Sequence, residues 1–412
     1  MKKRVVITGI GAITPVGLEV EKFWENVKNG NHGIKKISII DTDNLAVHVG
    51  ADIPEFNPKD FMDRKEAKRM DRFTQFAVAA AKEAFKDSGL NAENYDPWDM
   101  GVILGSGIGG LETIETEKHK LDNRGAEKVS PFFIPMTILN MAAGRVSIML
   151  NAKNICNSVV TACASGTNAI GEAFRNIKDG YSEIIITGGA EASITPLALS
   201  GFSNMGALSK SEDIDRASIP FDVERSGFVM GEGSGILVLE SLEHAKKRNA
   251  KIYAEIVGYG VSCDANHITA PLESGEGAER AMTLALKEAM LEPSNIDYIN
   301  AHGTSTPHND SIETKAIIGA FKEHSNKLKV SSTKSVTGHL LGAAGGIEGI
   351  ICALALKEGI IPPTVGLKEE DPKCTLDYVK GKSIKKDIKY ALSNSLGFGG
   401  HNASIILKKW EE

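Results

Sequence analysis

The sequence predicts an α/β protein built of packed strand and helix layers. Two observations carry this: short runs of β-branched residues alternate with stretches of helical apolar spacing, and the alternation occurs in two series of five strands. The first series is RVVITGI (4–10), GVILGS (101–106), NICNSVV (154–160), EIIITGGA (183–190) and SGILVLE (234–240). The second is IYAEIVGYGV (252–261), IDYINAHG (296–303), LKVSST (328–333), IKYALSNSLG (388–397) and ASIILKK (403–409), with helical segments such as GAERAMTLALKEAM (277–290) between strands. Similar spacing in both series points to a duplicated unit with its break near residue 250, giving halves 1–250 and 251–412. No Pro- or Ser-rich linker separates them, so the halves should share one core with the active site between them.

The chain of 412 residues is long enough for a large core, and its 42 glycines cluster in short turns such as GSGIGG (105–110), GEGSG (231–235) and GFGG (397–400). No apolar run reaches membrane-spanning length, and the N-terminal segment leads into a strand and glycine turn, so a soluble cytoplasmic protein is expected. Five scattered cysteines form no CxxC pair and suggest reduced thiols, of which one is free for chemistry. A net charge of −6 argues against a nucleic-acid surface. One local basic cluster stands out, RKEAKR (64–69), where Arg64, Lys65, Lys68 and Arg69 fall on an expected helix; the plainer reading is a solvated face balanced by Asp63 and Glu66.

Four segments carry chemistry. In SVVTACASGTNAIGEAF (158–174) a strand ends and small residues introduce a helix, with Cys163 in its first turn. Unpaired N–H groups there favour a thiolate and offer an oxyanion site; the alternative is an inert core cysteine. NAHGTSTPHND (300–310) delivers His302 at a strand's carboxyl end, the usual location of site residues in open α/β sheets, unless it merely bonds its own turn. SSTKSVTGHLLGAAGGIEG (331–349) supplies Lys334 and His339, then Glu348 on a Gly/Ala-rich helix. SNSLGFGGHNAS (393–404) makes a glycine turn around Phe398 whose backbone N–H can approach a substrate oxygen. GSGIGG lacks the rest of a dinucleotide fingerprint, and neither a Walker sequence nor zinc-ligand spacing occurs.

Together TACASG (161–166), AHGTSTP (301–307), KSVTGHLLGAAGG (334–346) and GFGG resemble the β-ketoacyl-[acyl-carrier-protein] synthases, especially those that elongate chains in bacterial type II fatty-acid synthesis. The resemblance runs from ITGIGAITPVG (7–17) to the last strand. It implies a thiolase-like αβαβα fold of two pseudo-duplicated halves, a homodimer, and decarboxylative condensation of an acyl thioester on Cys163 with malonyl-acyl-carrier protein. It implies further that His302 and His339 bind the malonyl carbonyl, that Lys334 supports them with Glu348 ordering the lysine, and that the N–H groups of Cys163 and Phe398 form the oxyanion hole. Ile108, Phe133 and Phe202 would border the acyl pocket, with Ile108 limiting chain length. No cofactor is needed for the chemistry, although a structural Na⁺ or K⁺ near Asn300, Glu348, Ser393 and Asn394 is implied. The expected partner is an acyl carrier protein bearing acyl or malonyl groups, docked on the 64–69 cluster.

His308 and His401 stand where the family pattern has small residues, and both are expected to be solvated. Cys352 and Cys374 lack a catalytic context. Three rivals remain. A discrete polyketide ketosynthase would use the same residues on another chain. A non-catalytic chain-length subunit would lack the nucleophile. A cysteine hydrolase would need neither His339 nor Lys334.

Overall fold

The computed structural model describes residues 2–91 and 93–411. Ten strands form its main sheet, numbered here in chain order: β1 Val5–Ile13, β2 Met100–Gly105, β3 Cys156–Val159, β4 Ile184–Glu191, β5 Gly233–Ser241, β6 Ala254–Cys263, β7 Tyr298–Asn300, β8 Lys329–Ser331, β9 Tyr390–Gly397 and β10 His401–Lys409. All ten expected strands are present. The paired dipeptides Lys35–Lys36 with Val49–Gly50, and Ile360–Ile361 with Ile384–Lys385, were not expected, because two residues are too short to show an alternation.

The sheet order is β8-β7-β9-β10-β6-β1-β5-β4-β2-β3. Outward from its centre, each half places its first strand beside its fifth, then its fourth, second and third. In both, the two inner pairings are antiparallel and the two outer ones parallel. The halves therefore repeat one topology. They meet where Val5, Val6 and Ile7 of β1 pair with Ile256, Glu255 and Ala254 of β6.

Strands β1, β4 and β5 are buried along their whole length and read as continuous apolar runs, as strands covered on both faces must. On one side of the first half lies the helix Arg72–Ser88, started by Asp71, whose carboxylate accepts from the Phe73 N–H, and ended at Gly89 in a left-handed conformation. The helix Glu276–Ala289 covers β6 and β10 in the second half. Between the halves, the helices Ser165–Lys178 and Ala344–Glu358 pack on strands of both and on each other, which completes the αβαβα layering. Those two central helices cross at glycine. A Cβ on Gly166 would fall 2.9 Å from the Gly342 carbonyl oxygen, and one on Gly345 would fall 2.3 Å from the Thr167 nitrogen. This close approach brings the start of one helix, beside Cys163, against the start of the other, beside His339.

The expected helix over 64–69 is a single turn, Arg64–Ala67. It stops because the chain must bury Met70 and then place Asp71 as the cap of the next helix. Cys374 is buried with Leu376 and Tyr378 under the second half. Among the described residues no helix is long and apolar enough to cross a membrane.

Candidate active site

Cys163 lies in a tight turn between β3 and the helix Ser165–Lys178. Ala162 before it adopts a left-handed backbone, φ 51°, a conformation that costs a non-glycine residue about 1–3 kcal/mol and persists only when its surroundings hold it. Here the Ser165 hydroxyl donates to the Ala162 carbonyl at 2.6 Å, and the Thr161 N–H donates to the Ser165 Oγ at 2.9 Å. Gly397 lies against the same turn, where a Cβ would stand 2.6 Å from the Thr161 carbonyl oxygen and 3.3 Å from the Cys163 nitrogen. Close contact with Gly397 seats the next residue, Phe398, beside the thiol.

Burial pushes the Cys163 thiol up to about 12, with Glu191 adding to the rise; the Lys334 charge and the N–H groups of Cys163 and Phe398 pull in the other direction. The helix-start position was expected to favour thiolate. Instead the loss of water outweighs it, and the resting sulfur is a neutral thiol. The two N–H groups still point at the sulfur region, where they are available to an oxyanion formed on a thioester carbon.

His302 follows β7, and its turn is held from below by Glu313, which accepts from the His302 and Gly303 N–H groups at 2.8 Å each. His339 is fixed by its backbone: its N–H donates to Val229 O at 2.7 Å, and its carbonyl accepts from Gly231 N–H at 2.9 Å. The rings of His302 and His339 meet edge to face with centroids 5.3 Å apart, and each residue is only 2% exposed. Burial, and then the charge of Lys334, holds both well below the ordinary histidine value, with His339 adding a further lowering at His302. Both are neutral N–H donors at neutral pH. Lys334 itself is buried in an ion pair with Glu348.

Cys163, His302, His339, Phe398 and Phe202 line one cavity of about 210 Å³, joined by Phe228 and Leu341, with Thr304, Thr306 and Asp264 also in its wall. Lys334 and Glu348 lie behind this wall. Ile108 packs in the apolar cluster that includes Cys163 and Phe202 but does not line the cavity. Phe133 is not brought there by a single chain: its short helix, Phe133–Thr137, packs on the helices Leu111–Arg124 and Met141–Leu150 beside exposed Phe132 and Ile134.

Of the expected cation ligands, Asn300 and Ser393 face each other across β7 and β9. Asn300 Oδ1, Ser393 Oγ and Glu348 Oε2 are all buried without a hydrogen-bond partner. Three orphaned oxygens suit a hard monovalent cation. The side chain of Asn394 does not fit that role, because its oxygen accepts from Ser404 at 2.7 Å and its amide donates to Glu313 at 3.2 Å; only its carbonyl is left to contribute.

Arg64, Lys65, Lys68 and Arg69 are exposed. Asp63 is consumed as a cap, accepting from Lys65 and Glu66 N–H, and Glu66 is engaged by Arg145 at 3.0 Å and Arg69 at 3.9 Å. The local acids expected to balance the cluster are thus occupied, and among the described residues Arg64, Lys65 and Lys68 pair with no carboxylate. His308 is exposed at the cavity mouth. His401, expected to be solvated, is partly buried opposite Cys263 with its ring against Gly399, because β10 begins at 401, two residues before the expected start at 403.

Sequence reasoning missed Glu191, Glu313 and Asp264. Glu313 is fully buried and raised to about 7 by burial, against the lowering from its N–H donors. Asp264 ties the cavity mouth together, accepting from the Asn402 amide at 2.7 Å and the Leu272 N–H at 2.9 Å. A carboxylate ending an apolar run beside glycines, as in GGAE (188–191), was the available signal.

A partly buried thiol, two backbone donors and two neutral histidines share one cavity on a thiolase-like fold, an arrangement that suits acyl transfer through a cysteine. Comparison with known proteins gives the same class. Residues 2–245 match the model for the beta-ketoacyl synthase N-terminal domain, and residues 253–368 match that for the C-terminal domain. The chain is 54% identical over 409 residues to 3-oxoacyl-[acyl-carrier-protein] synthase 2 of Staphylococcus aureus, covering 99% of each chain. It is 51% identical over 411 residues to the protein of the same name from Synechocystis, covering 100% of this chain and 99% of that one. A solved type II PKS acyl-carrier protein in complex with its ketosynthase superposes with a TM-score of 0.92 at 33% identity over 100% of both chains. The chain belongs to the beta-ketoacyl synthase family.

Proposed function

We propose that this protein elongates fatty acids by decarboxylative Claisen condensation, forming 3-oxoacyl-acyl-carrier protein and CO₂. The observation that carries the reading is the pair of neutral, buried histidines facing Cys163. In the first half-reaction the Cys163 sulfur attacks an acyl-carrier thioester. Its proton passes to the departing carrier thiol, and the oxyanion is held by the N–H groups of Cys163 and Phe398. In the second, malonyl-carrier enters with its thioester carbonyl between His302 and His339. As the C–CO₂⁻ bond breaks, its electron pair becomes an enolate stabilised by the two ring N–H groups, each worth about 3–4 kcal/mol if well placed. The enolate carbon attacks the acyl-Cys163 carbonyl, and collapse of the adduct releases the Cys163 thiolate, which takes up a proton.

Lys334 keeps the histidines neutral by its charge, and Glu348 fixes Lys334. A hydrolase would gain nothing from a second buried, deprotonated histidine, and a non-catalytic length-setting subunit would gain nothing from the two N–H groups aimed at the sulfur. Sequence similarity to the two named synthases favours fatty-acid over polyketide substrates. A Na⁺ or K⁺ on the three orphaned oxygens would be structural, screening Glu348 beside the lysine.

The acyl carrier protein is the substrate-bearing partner in this reading, with Arg64, Lys65, Lys68 and Arg69 as its docking surface. A homodimer is supported by the edge strand β3, flanked by Ile148 at 73% and Val160 at 52% exposure, since such an apolar edge is a liability unless covered. A second chain on that face is also the reading under which Phe133 contributes to an acyl pocket. Intact-mass spectrometry tests the whole. Incubation with acyl-carrier thioesters should add one acyl group to wild type and none to Cys163→Ala, and malonyl-carrier should then discharge it as 3-oxoacyl product. Acylation persisting in Cys163→Ala, or discharge only by water, overturns the reading.

A further inference from the structure

Glu191 ends β4 and is completely buried, and among the described residues no cation pairs with it. Its carboxylate is instead filled by donors from two separate turns. Oε2 accepts from Gly107 N–H at 2.7 Å and Gly342 N–H at 3.0 Å; Oε1 accepts from the Ser106 hydroxyl at 3.1 Å, Ile108 N–H at 3.1 Å and Gly109 N–H at 3.3 Å. Burying a lone carboxylate is costly, and five donors are what makes it tolerable.

The two turns differ in what they carry. Ser106–Gly109 carries Ile108, which packs against the same buried apolar cluster as Cys163 and Phe202. The other turn follows His339, and its Leu341 N–H donates to His339 Nδ1 at 3.3 Å, one residue before Gly342. The turns also touch, since a Cβ on Gly342 would fall 2.4 Å from the Gly107 nitrogen. Among the described residues no other side chain bonds both.

We propose that Glu191 is a positioning residue that couples the Ile108 turn to the His339 turn, so that the chain length accepted at Cys163 and the placement of a malonyl-binding histidine are set together. The proposal rests on the condensation reading above. A change of turn geometry at Ile108 is transmitted through one rigid carboxylate to the hydrogen bond on His339. Replacing one acceptor oxygen by an amide NH₂ sets a donor against donors and releases one turn from the other.

The test is Glu191→Gln, assayed for Cys163 acylation across short and long acyl-carrier thioesters and, separately, for condensation with malonyl-carrier. The long-to-short ratio of acylation rates should shift by about 5-fold or more, and kcat for condensation should fall about 100-fold with KM for malonyl-carrier changed less than about 3-fold, as misplacement by an ångström would produce. Ser106→Ala, which removes one donor and leaves the carboxylate, should shift the same length ratio in the same direction by less, and it decides the matter if Glu191→Gln fails to fold. An unchanged length profile in the folded variant, or losses equal for every chain length, overturns the proposal. Wild type failing to condense malonyl thioester would instead overturn the reading of function.

Discussion

The Leu341 N–H donates to His339 Nδ1 across 3.3 Å, which makes Nδ1 the acceptor and leaves the proton on Nε2. With that tautomer set, Nε2 is the donor that an enolate oxygen would meet. His339→Ala should therefore slow condensation by about 10²–10³-fold, the usual loss for one such donor, while Cys163 still takes up an acyl group. Single-turnover acylation and discharge, followed by mass, separate the two steps.

The histidines' pH behaviour follows from their burial. Both lie well below 6.5 in the folded protein, so between that lowered value and 6.5 the unfolded chain binds more protons than the folded one. Stability is fully present above pH 6.5 and declines as pH falls below it. Condensation should keep its rate below pH 6.5, with the acid limb displaced to lower pH than an ordinary histidine would give, and a pH–rate profile of malonyl-carrier decarboxylation locates that limb.

A Cys163 thiol at about 12 holds little thiolate at neutral pH. Alkylation of the free protein by iodoacetamide should rise about tenfold per pH unit and show no plateau by pH 10. Peptide mapping against the exposed Cys263 supplies the internal comparison, and a plateau near pH 7 would show that the helix start dominates after all.

Breaking the buried Lys334–Glu348 pair should cost more than deleting it. Glu348→Ala leaves an unpaired buried ammonium and should lower stability by about 3–5 kcal/mol, whereas Lys334→Met with Glu348→Leu should recover most of that loss. The double variant should remain a poor condensing enzyme, because the charge beside the histidines is gone. Urea melts and turnover on the same preparations give both numbers.

Reversing Lys65 and Arg69 to glutamate should raise KM for carrier-bound substrates at least tenfold at low salt, with kcat little changed and the difference shrinking at high ionic strength. Stopped-flow or steady-state assays at two salt concentrations distinguish this from a folding defect. An equal KM at both would assign carrier docking elsewhere.

The ten strands were legible because short apolar, mostly β-branched segments recur between helical patterns at similar spacing in both halves, and Cys163, His302 and His339 because each follows a strand among small residues. The thiol's proton state was not legible: the helix-start argument sees the local N–H groups, but the loss of water around Cys163 comes from Phe202, Phe228 and Leu341, distant in sequence. Glu191 and Glu313 were missed for a related reason. Most of their partners are backbone N–H groups, which leave no mark in the residue pattern. Phe133 marks the opposite limit, a residue whose implied role a single chain does not complete.

The glycine crossing of the two central helices has a further meaning. Cys163 comes from the first half and both histidines from the second, and the close contact at Gly166 and Gly345 joins the helix starts beside them, alongside Gly397 on the Cys163 turn and Glu191 on Gly342. Activity is thus owned by neither half. Each inherits a full copy of the topology and only part of the reagent set, so the duplicated copies have become complementary parts of one machine, and chemistry registers their alignment far more sharply than folding does.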